Sequence, residues 1–127
     1  MSRIPNILIV DDQPELRLLI RLTLAKANLS LREAEDGEAA LVACADQVPD
    51  VVLLDVMLPG IDGYEVCRRL KADPRTAATT IMLITAGAQA ADRARAEAAG
   101  ADLYLAKPFS PAQLLQQVTD CLAARRN

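Results

Sequence analysis

The sequence predicts an α/β fold, in which a doubly wound parallel sheet of five strands carries helices on both faces. Runs of apolar residues at 7–10, 51–54 and 81–84 are typical of strands that are covered on both sides. Five strand-like segments alternate with helix-like segments through short connections, which favours parallel pairing. No linker, repeat or low-complexity stretch interrupts this alternation, so residues 1–127 are expected to form one domain.

The first strand and the first helix meet at an acidic turn. After the strand at 7–10, Pro14 and Glu15 suit the first turn of a helix. Asp12 or Gln13 is placed to cap this helix. A stripe with helical spacing is expected to lie on the sheet: Leu16, Leu19, Ile20, Thr23, Leu24 and Ala27.

The next two units lead through the middle of the chain. Alternating residues predict a half-exposed strand at 29–34, and a helix is expected at about 37–46. Residues 49–50 break the chain before the buried strand at 51–55. A helix at about 64–72 follows that strand.

The last two units contain the third buried strand and an alanine-rich helix. The strand at 80–85 precedes a helix at about 89–99, which should stop at Gly100 in a left-handed cap. A short strand at 102–105 and a helix from Pro111 onward follow. Because alanine supplies little area to bury, we expect the helix at 89–99 to be loosely held.

Polar side chains stand where the buried strands end. Asp11, Asp12 and Asp55 follow or end two of the strands, Thr85 ends a third, and Lys107 comes just after the last. The carboxyl ends of parallel strands share one edge of a sheet, so these residues are expected to converge. Three carboxylates brought together would repel, and at least one pKa would rise unless a cation neutralised them.

A hard divalent cation is the expected partner of these acids. The chain contains no histidine, and carboxylate ligands without His or Cys indicate Mg²⁺, with Mn²⁺ as an alternative. Lys107 and Thr85 would add an ammonium group and a hydroxyl donor, which suit the oxygens of a phosphoryl group. Asp55 would be the nucleophile that accepts this group as an acyl phosphate. Taken alone, Asp11-Asp12 has a plainer interpretation as a helix cap beside a surface acid.

Composition excludes several classes of function. A net charge of −3 and 2% aromatic residues argue against a nucleic-acid surface, and Arg125-Arg126 is expected to be a solvated tail. No apolar run is long enough for membrane insertion and no signal peptide opens the chain, so a cytoplasmic location is expected. Three cysteines at apolar helix positions are expected to be small core fillers: Cys44, Cys67 and Cys121.

Four motifs occur in order over nearly the whole chain: VDD at 10–12, LLDVMLPGIDG at 53–63, ITA at 84–86 and YLAKPF at 104–109. In these motifs the sequence resembles the receiver domain of two-component response regulators. The resemblance implies a flavodoxin-like fold with strand order 2-1-3-4-5.

The resemblance also assigns roles to the acids. It implies that Asp55 is the phosphoacceptor and that Asp11 and Asp12 belong to the Mg²⁺ site. The backbone carbonyl of Met57 would be a further metal ligand.

Further roles fall on the last two strands. The resemblance implies that Thr85 and Lys107 contact the phosphoryl group, that Tyr104 moves inward on activation, and that the Lys107–Pro108 peptide is cis. The face formed by the fourth helix, fifth strand and fifth helix would then switch and control partner binding. Without the resemblance, Tyr104 has a plainer interpretation as a half-buried ring on an edge strand.

The expected partners follow from the missing histidine. Without histidine the chain cannot itself be the phosphohistidine donor, so the phosphoryl group must come from a partner or a small donor. The resemblance implies that this partner is a sensor histidine kinase or a histidine phosphotransfer protein, and that a downstream protein responds to the phosphorylated form. The chain would be a non-turnover phosphoacceptor, a monomer or a weak dimer through the switching face. It leaves no room for an output domain, so it is either a stand-alone regulator or part of a longer protein.

Three alternative functions have different sequence requirements. A receiver-like binding module that works without phosphorylation would typically lack one acid or the lysine. An aspartyl-phosphate phosphatase would want a second acid two residues after Asp55, where Met57 stands. A flavin-binding module would want a phosphate loop in place of the acidic turn at 11–14.

Overall fold

Strands and helices alternate along the chain in a computed structural model, which describes residues 3–87 and 89–126. The strands are β1 (Asn6–Val10), β2 (Ser30–Ala34), β3 (Val51–Asp55), β4 (Thr80–Thr85) and β5 (Leu103–Ala106). The helices are α1 (Pro14–Leu24), α2 (Gly37–Asp46), α3 (Gly63–Ala72), α4 (Ala90–Ala98) and α5 (Pro111–Arg126). The single domain predicted for 1–127 includes residues 1, 2, 88 and 127, which lie outside the described residues.

All five strands are parallel and their order is β2-β1-β3-β4-β5, which confirms the predicted fold. Val10 pairs with Leu54, and Asp55 pairs with Ile84. The carboxyl ends of the central strands therefore lie side by side. This edge carries the polar residues that the sequence singled out.

Helices cover the sheet on both faces, since successive strand residues point to opposite sides. On one face, Ile9 and Leu53 pack in a core with Ile20 of α1 and Leu114 of α5. On the other, Leu54 belongs to a core cluster built with α2, α3 and α4. No helix in the two described ranges is long and apolar enough to cross a membrane.

The cysteines take the positions expected of core residues. The thiols of Cys44, Cys67 and Cys121 are free, the first two are buried and the third is half-buried. Burial raises the pKa of the Cys44 and Cys67 thiols to about 11. Both side chains are therefore neutral at pH 7 and pack as small apolar groups.

The first helix departs from its predicted stripe. Ile20, Thr23 and Leu24 are buried, whereas Leu19 is 46% exposed, so its predicted place on the sheet is wrong. Adjacent helix residues point in directions roughly 100° apart around the helix axis. Because Ile20 faces the core, Leu19 lies at the side of the buried face and remains partly exposed. The helix also ends at Leu24, before Ala27. Its cap position is taken by Gln13, without a side-chain hydrogen bond.

The end of α4 and the start of β5 are set by two residues. Gly100 has φ +88°, which confirms the left-handed cap. The strand begins at Leu103, one residue later than predicted, although the Asp102 N–H still donates to the Ile81 carbonyl at 3.0 Å. The Asp102 carboxylate accepts the Ile81 N–H at 2.8 Å and pairs with Lys71 at 2.7 Å.

A charged cluster lies at the opposite edge of the sheet from the predicted site. The Arg3 guanidinium donates to both carboxylate oxygens of Asp50, at 2.6 and 2.9 Å, and the Asn6 N–H donates at 2.7 Å. Burial alone would raise the pKa of Asp50, but these hydrogen bonds and the positive charges of Arg3 and Arg125 outweigh it and lower the pKa. We call Arg3, Asp50 and Arg125 the Asp50 cluster.

Arg125 was expected to be part of a solvated tail. It is exposed, but it lies in the last turn of α5 and is hydrogen-bonded to the rest of the protein, so its description as a tail is wrong. Its guanidinium donates to the Ala78 carbonyl at 2.7 Å and to the Thr80 hydroxyl at 3.1 Å, and lies 3.6 Å from Asp50. The α5 helix is long enough to bring its last turn back to the start of β4. The side chain of Arg126 lies outside the described part of the chain.

Candidate functional site

Asp55 is the last residue of the central strand and is 3% exposed. One carboxylate oxygen accepts the Met57 N–H at 3.2 Å, which turns the loop back over the strand end. The loop then meets α3 at Gly63, where an added Cβ would lie 2.4 Å from the Asp55 carbonyl oxygen. Only glycine permits this close approach, so the Asp-Gly turn fixes the backbone beside Asp55.

The three predicted acids converge at this edge. Carboxylate oxygens of Asp11, Asp12 and Asp55 lie within 4.8 Å of one another. Asp11 is buried and Asp12 is exposed, so the group opens to solvent on one side. Burial, with a contribution from the nearby Asp55 charge, raises the pKa of Asp11, although the Gln13 N–H and Lys107 act against it.

This donor set fits a hard divalent cation. Each of Asp11, Asp12 and Asp55 offers carboxylate oxygen, and oxygen is what Mg²⁺ and Mn²⁺ prefer. The raised pKa of Asp11 means that ionising this carboxyl group costs more free energy here than in water. A cation bound among the three acids would remove that cost.

Lys107 and Thr85 complete the edge. The Lys107 ammonium lies 3.4 Å from an Asp55 oxygen and 3.9 Å from Asp11, while its backbone N–H donates to the Thr85 carbonyl at 2.7 Å. The Thr85 side chain is buried, and its hydroxyl oxygen accepts the Gly87 N–H at 3.1 Å. The hydroxyl proton of Thr85 therefore stays available to donate to a second group.

Tyr104 is tied to the same backbone segment as Thr85. Its hydroxyl donates to the Gly87 carbonyl, and the Arg93 guanidinium lies 5.9 Å from its ring centroid. The ring is half-buried, which fits both interpretations of this residue. Thr85 and Tyr104 thus hold the N–H and the C=O of one residue, Gly87, at the entrance to α4.

A groove opens next to Lys107. Its volume is about 460 Å³, and its lining residues are Leu16, Leu19, Lys107, Pro108 and Phe109. The Lys107–Pro108 peptide bond is cis. Leu16 and Leu19 of α1 therefore lie next to Lys107, at the edge of the sheet that carries the three acids.

Sequence reasoning missed Arg17, which contacts the acidic turn. Its guanidinium donates to the Asp11 carbonyl at 2.6 Å and to Glu33 at 2.9 Å. One sequence pattern could have indicated this contact. Arg17 and Arg21 are four residues apart on α1, so they share one face of the helix, and both pair with Glu33 of β2.

Comparisons with known proteins agree with this geometry. The family model of the response regulator receiver domain matches residues 7–119. A DNA-binding dual master transcriptional regulator of Synechocystis, RpaA, is 39% identical over 114 residues, which are 90% of this chain and 47% of that protein. The chain spans about half the length of the curated relatives it matches.

Solved structures give the same result. A response regulator from Chloroflexus aurantiacus is 38% identical with a TM-score of 0.90, covering 95% of this chain and 99% of that one. The chemotaxis response regulator CheY4 of Vibrio cholerae is 28% identical with a TM-score of 0.89, covering 94% and 99%. Sequence motifs, fold and family match therefore agree: this chain belongs to the response regulator receiver domains of two-component signalling systems.

Proposed function

We propose that Asp55 accepts a phosphoryl group from the phosphohistidine of a sensor histidine kinase or a histidine phosphotransfer protein. The observation that carries this proposal is the convergence of three carboxylates within 4.8 Å, with an ammonium group 3.4 Å from Asp55. A carboxylate oxygen of Asp55 attacks phosphorus, the phosphorus–nitrogen bond to the histidine breaks, and the imidazole keeps the electron pair. The product is an acyl phosphate on Asp55.

The proposed cation ligands are the carboxylates of Asp11, Asp12 and Asp55 and the backbone carbonyl of Met57. Bound Mg²⁺, or Mn²⁺ in its place, would neutralise charge on the transferring group. Asp55 is held for attack by the Met57 N–H, which occupies one carboxylate oxygen.

Lys107 and Thr85 are the proposed contacts of the phosphoryl oxygens. Lys107 already faces the Asp55 carboxylate, and Thr85 keeps a free hydroxyl proton on the adjacent strand. Charge-assisted hydrogen bonds of this kind contribute roughly 1.5–3 kcal/mol each. Two or three of them would supply the differential stabilisation of about 5.5 kcal/mol that reverses a 1:99 equilibrium.

The proposed output is a change on the face formed by α4, β5 and α5. When Thr85 turns toward the phosphoryl group, its bond to Gly87 changes, and Tyr104 is bonded to that same residue. The two contacts therefore couple the site to the entrance of α4. We infer that this face binds a downstream protein, with the chain acting as a monomer or weak dimer and without catalytic turnover.

Two alternatives are less well supported. A binding module that works without phosphorylation would not need three acids and a lysine within contact distance. A phosphatase would need a general acid two residues after the nucleophile, and Met57 has none.

The proposal is tested by incubation with Mg²⁺ and phosphoramidate, followed by intact-mass measurement. The wild type should gain the mass of one phosphoryl group and Asp55→Asn should gain none, because an amide is a poor nucleophile. Asp46→Asn is the matched control, since Asp46 is an exposed acid at the end of α2. Equal labelling of the wild type and Asp55→Asn would place the acceptor elsewhere.

A further inference from the structure

Arg17 is unusually enclosed for an arginine on a surface helix, with a side chain 16% exposed. One guanidinium nitrogen donates to the Asp11 carbonyl at 2.6 Å, and another donates to Glu33 of β2 at 2.9 Å. The planar guanidinium thus joins the acidic turn to the neighbouring strand with two hydrogen bonds in fixed directions.

The turn that Arg17 contacts is short. Three residues, Asp11 to Gln13, connect β1 to α1. The Asp11 N–H donates to the Ala34 carbonyl at 3.2 Å, and an Asp11 carboxylate oxygen accepts the Gln13 N–H at 2.8 Å. The bond from Arg17 holds the other backbone polar group of Asp11, its carbonyl.

The Asp11 carbonyl belongs to the peptide that leads into Asp12. Among the described residues, no hydrogen bond reaches the exposed Asp12 carboxylate itself, so its direction depends on the orientation of that peptide. Fixing the Asp11 carbonyl therefore fixes where Asp12 leaves the chain.

We propose that Arg17, oriented by Glu33, is a positioning residue for the divalent-cation site of Asp11, Asp12 and Asp55. The proposal rests on the proposed function, because it assumes that these acids hold a cation. Arg17 acts through the Asp11 peptide and makes no contact with the ion.

Removing Arg17 would change the Mg²⁺ affinity in opposite directions depending on whether its charge or its positioning role dominates. On charge alone, removing a cation near the site would strengthen Mg²⁺ binding. Loss of positioning would weaken it, and removal of groups that orient metal ligands typically costs about 10–100-fold in affinity. The sign of the change therefore separates the two explanations.

The test compares Mg²⁺ affinities of Arg17→Met, Arg17→Lys and Arg21→Met by calorimetry, at a temperature where thermal unfolding shows each variant to be folded. Arg21 is the matched control because it pairs with the same Glu33, at 3.4 Å, and does not touch the acidic turn. Arg17→Met should bind Mg²⁺ at least about 10-fold more weakly. Arg21→Met should stay within about twofold of the wild type, and Arg17→Lys should recover part of the loss.

Several results would overturn the proposal. Unchanged or tighter binding by Arg17→Met would show that charge outweighs positioning, and an equal loss in Arg21→Met would make the effect non-specific. A lower melting temperature with unchanged affinity would leave Arg17 a purely structural role. A wild type that binds no Mg²⁺ would instead refute the cation site, and the proposed function with it.

Discussion

Lys107 contacts the candidate site through both its side chain and its backbone. The ammonium faces two carboxylates, and the backbone N–H holds the Thr85 carbonyl on the adjacent strand. A pull on the ammonium is therefore passed to the strand pair that leads into α4 and α5. The proposed binding of the phosphoryl group and the proposed transmission of its effect would therefore both involve this one residue.

Lys107→Ala should still accept a phosphoryl group from phosphoramidate, but more slowly by about 10²-fold, because one donor to the developing charge is lost. The variant should also fail to transmit. Amide exchange across α4 should change on phosphorylation in the wild type and stay unchanged in the variant. Lys26→Ala, which removes an exposed lysine, is the control. A normal exchange response in Lys107→Ala would contradict the coupling.

Single residues could be predicted where a pattern isolates them. The polar residues at the ends of apolar strands, such as Asp55 and Thr85, stand out from the sequence. Arg17 does not stand out, because its contacts are with the backbone carbonyl of Asp11, six residues earlier, and with Glu33 on β2. Neither contact belongs to a local sequence pattern. Leu19 was misplaced because periodicity gives the direction of a helix face but not its width.

At the level of elements, α4 has the fewest buried residues of the five helices in the described part of the chain. Ala96 is its buried residue, and Ala99 follows just beyond its end. Two contacts tie this region to α3: the Arg95 guanidinium lies 4.2 Å from the Tyr64 ring centroid, and the Cys67 thiol donates to the Ala99 carbonyl at 3.3 Å. Apart from the small side chains of Ala96 and Ala99, little of this region enters the apolar core, so we expect that α4 can shift without opening a large cavity.

Amide hydrogen exchange should therefore be faster in α4 than in β1, β3 and β4. We expect protection lower by at least about 10²-fold, since helices with little buried area open well below the free energy of global unfolding. The measurement is residue-resolved exchange at neutral pH. Equal protection of α4 and the central strands would contradict this account and indicate that Arg95 and Cys67 hold the helix firmly.

The elements were predictable because their signals are local. Apolar runs gave the buried strands, and Gly100 gave the end of α4. The start of β5 differs from its predicted place by one residue, at Asp102, where the Ile81 N–H is bonded to a side-chain carboxylate, and no short-range pattern reveals such a bond. The strand order came from the family resemblance, since periodicity alone does not order the strands of a sheet.

At the scale of the whole molecule, the Asp50 cluster connects distant parts of the chain. Arg3 precedes β1, Asp50 precedes β3 and Arg125 lies in the last turn of α5. The cluster thus holds the amino-terminal edge of the sheet, where the buried strands begin. Its long-range contacts explain why sequence reasoning assigned Arg125 to a solvated tail.

Asp50→Asn should lower the free energy of unfolding by roughly 1.5–3 kcal/mol at pH 7, because the buried carboxylate loses the charge with which it accepts the Asn6 N–H. The pKa of Asp50 is lowered by folding from its ordinary 3.8, so its stabilisation is complete above that pH and is lost as the pH falls through the folded-state pKa. Urea unfolding of the wild type and the variant at several pH values, from neutral down to about pH 2, follows this loss. A difference that stays constant down to about pH 2 would contradict the assignment.

β3 has a carboxylate at each end, Asp50 just before its first residue and Asp55 as its last. The first is enclosed by donors that hold it in place, and the second shares its edge with like charges. One strand of roughly 17 Å therefore separates the hydrogen-bonded Asp50 from the proposed phosphoacceptor. If Asp55 accepts a phosphoryl group as proposed, that group could be added and removed at one end of β3 while the hydrogen bonds of Asp50 at the other end stay unchanged.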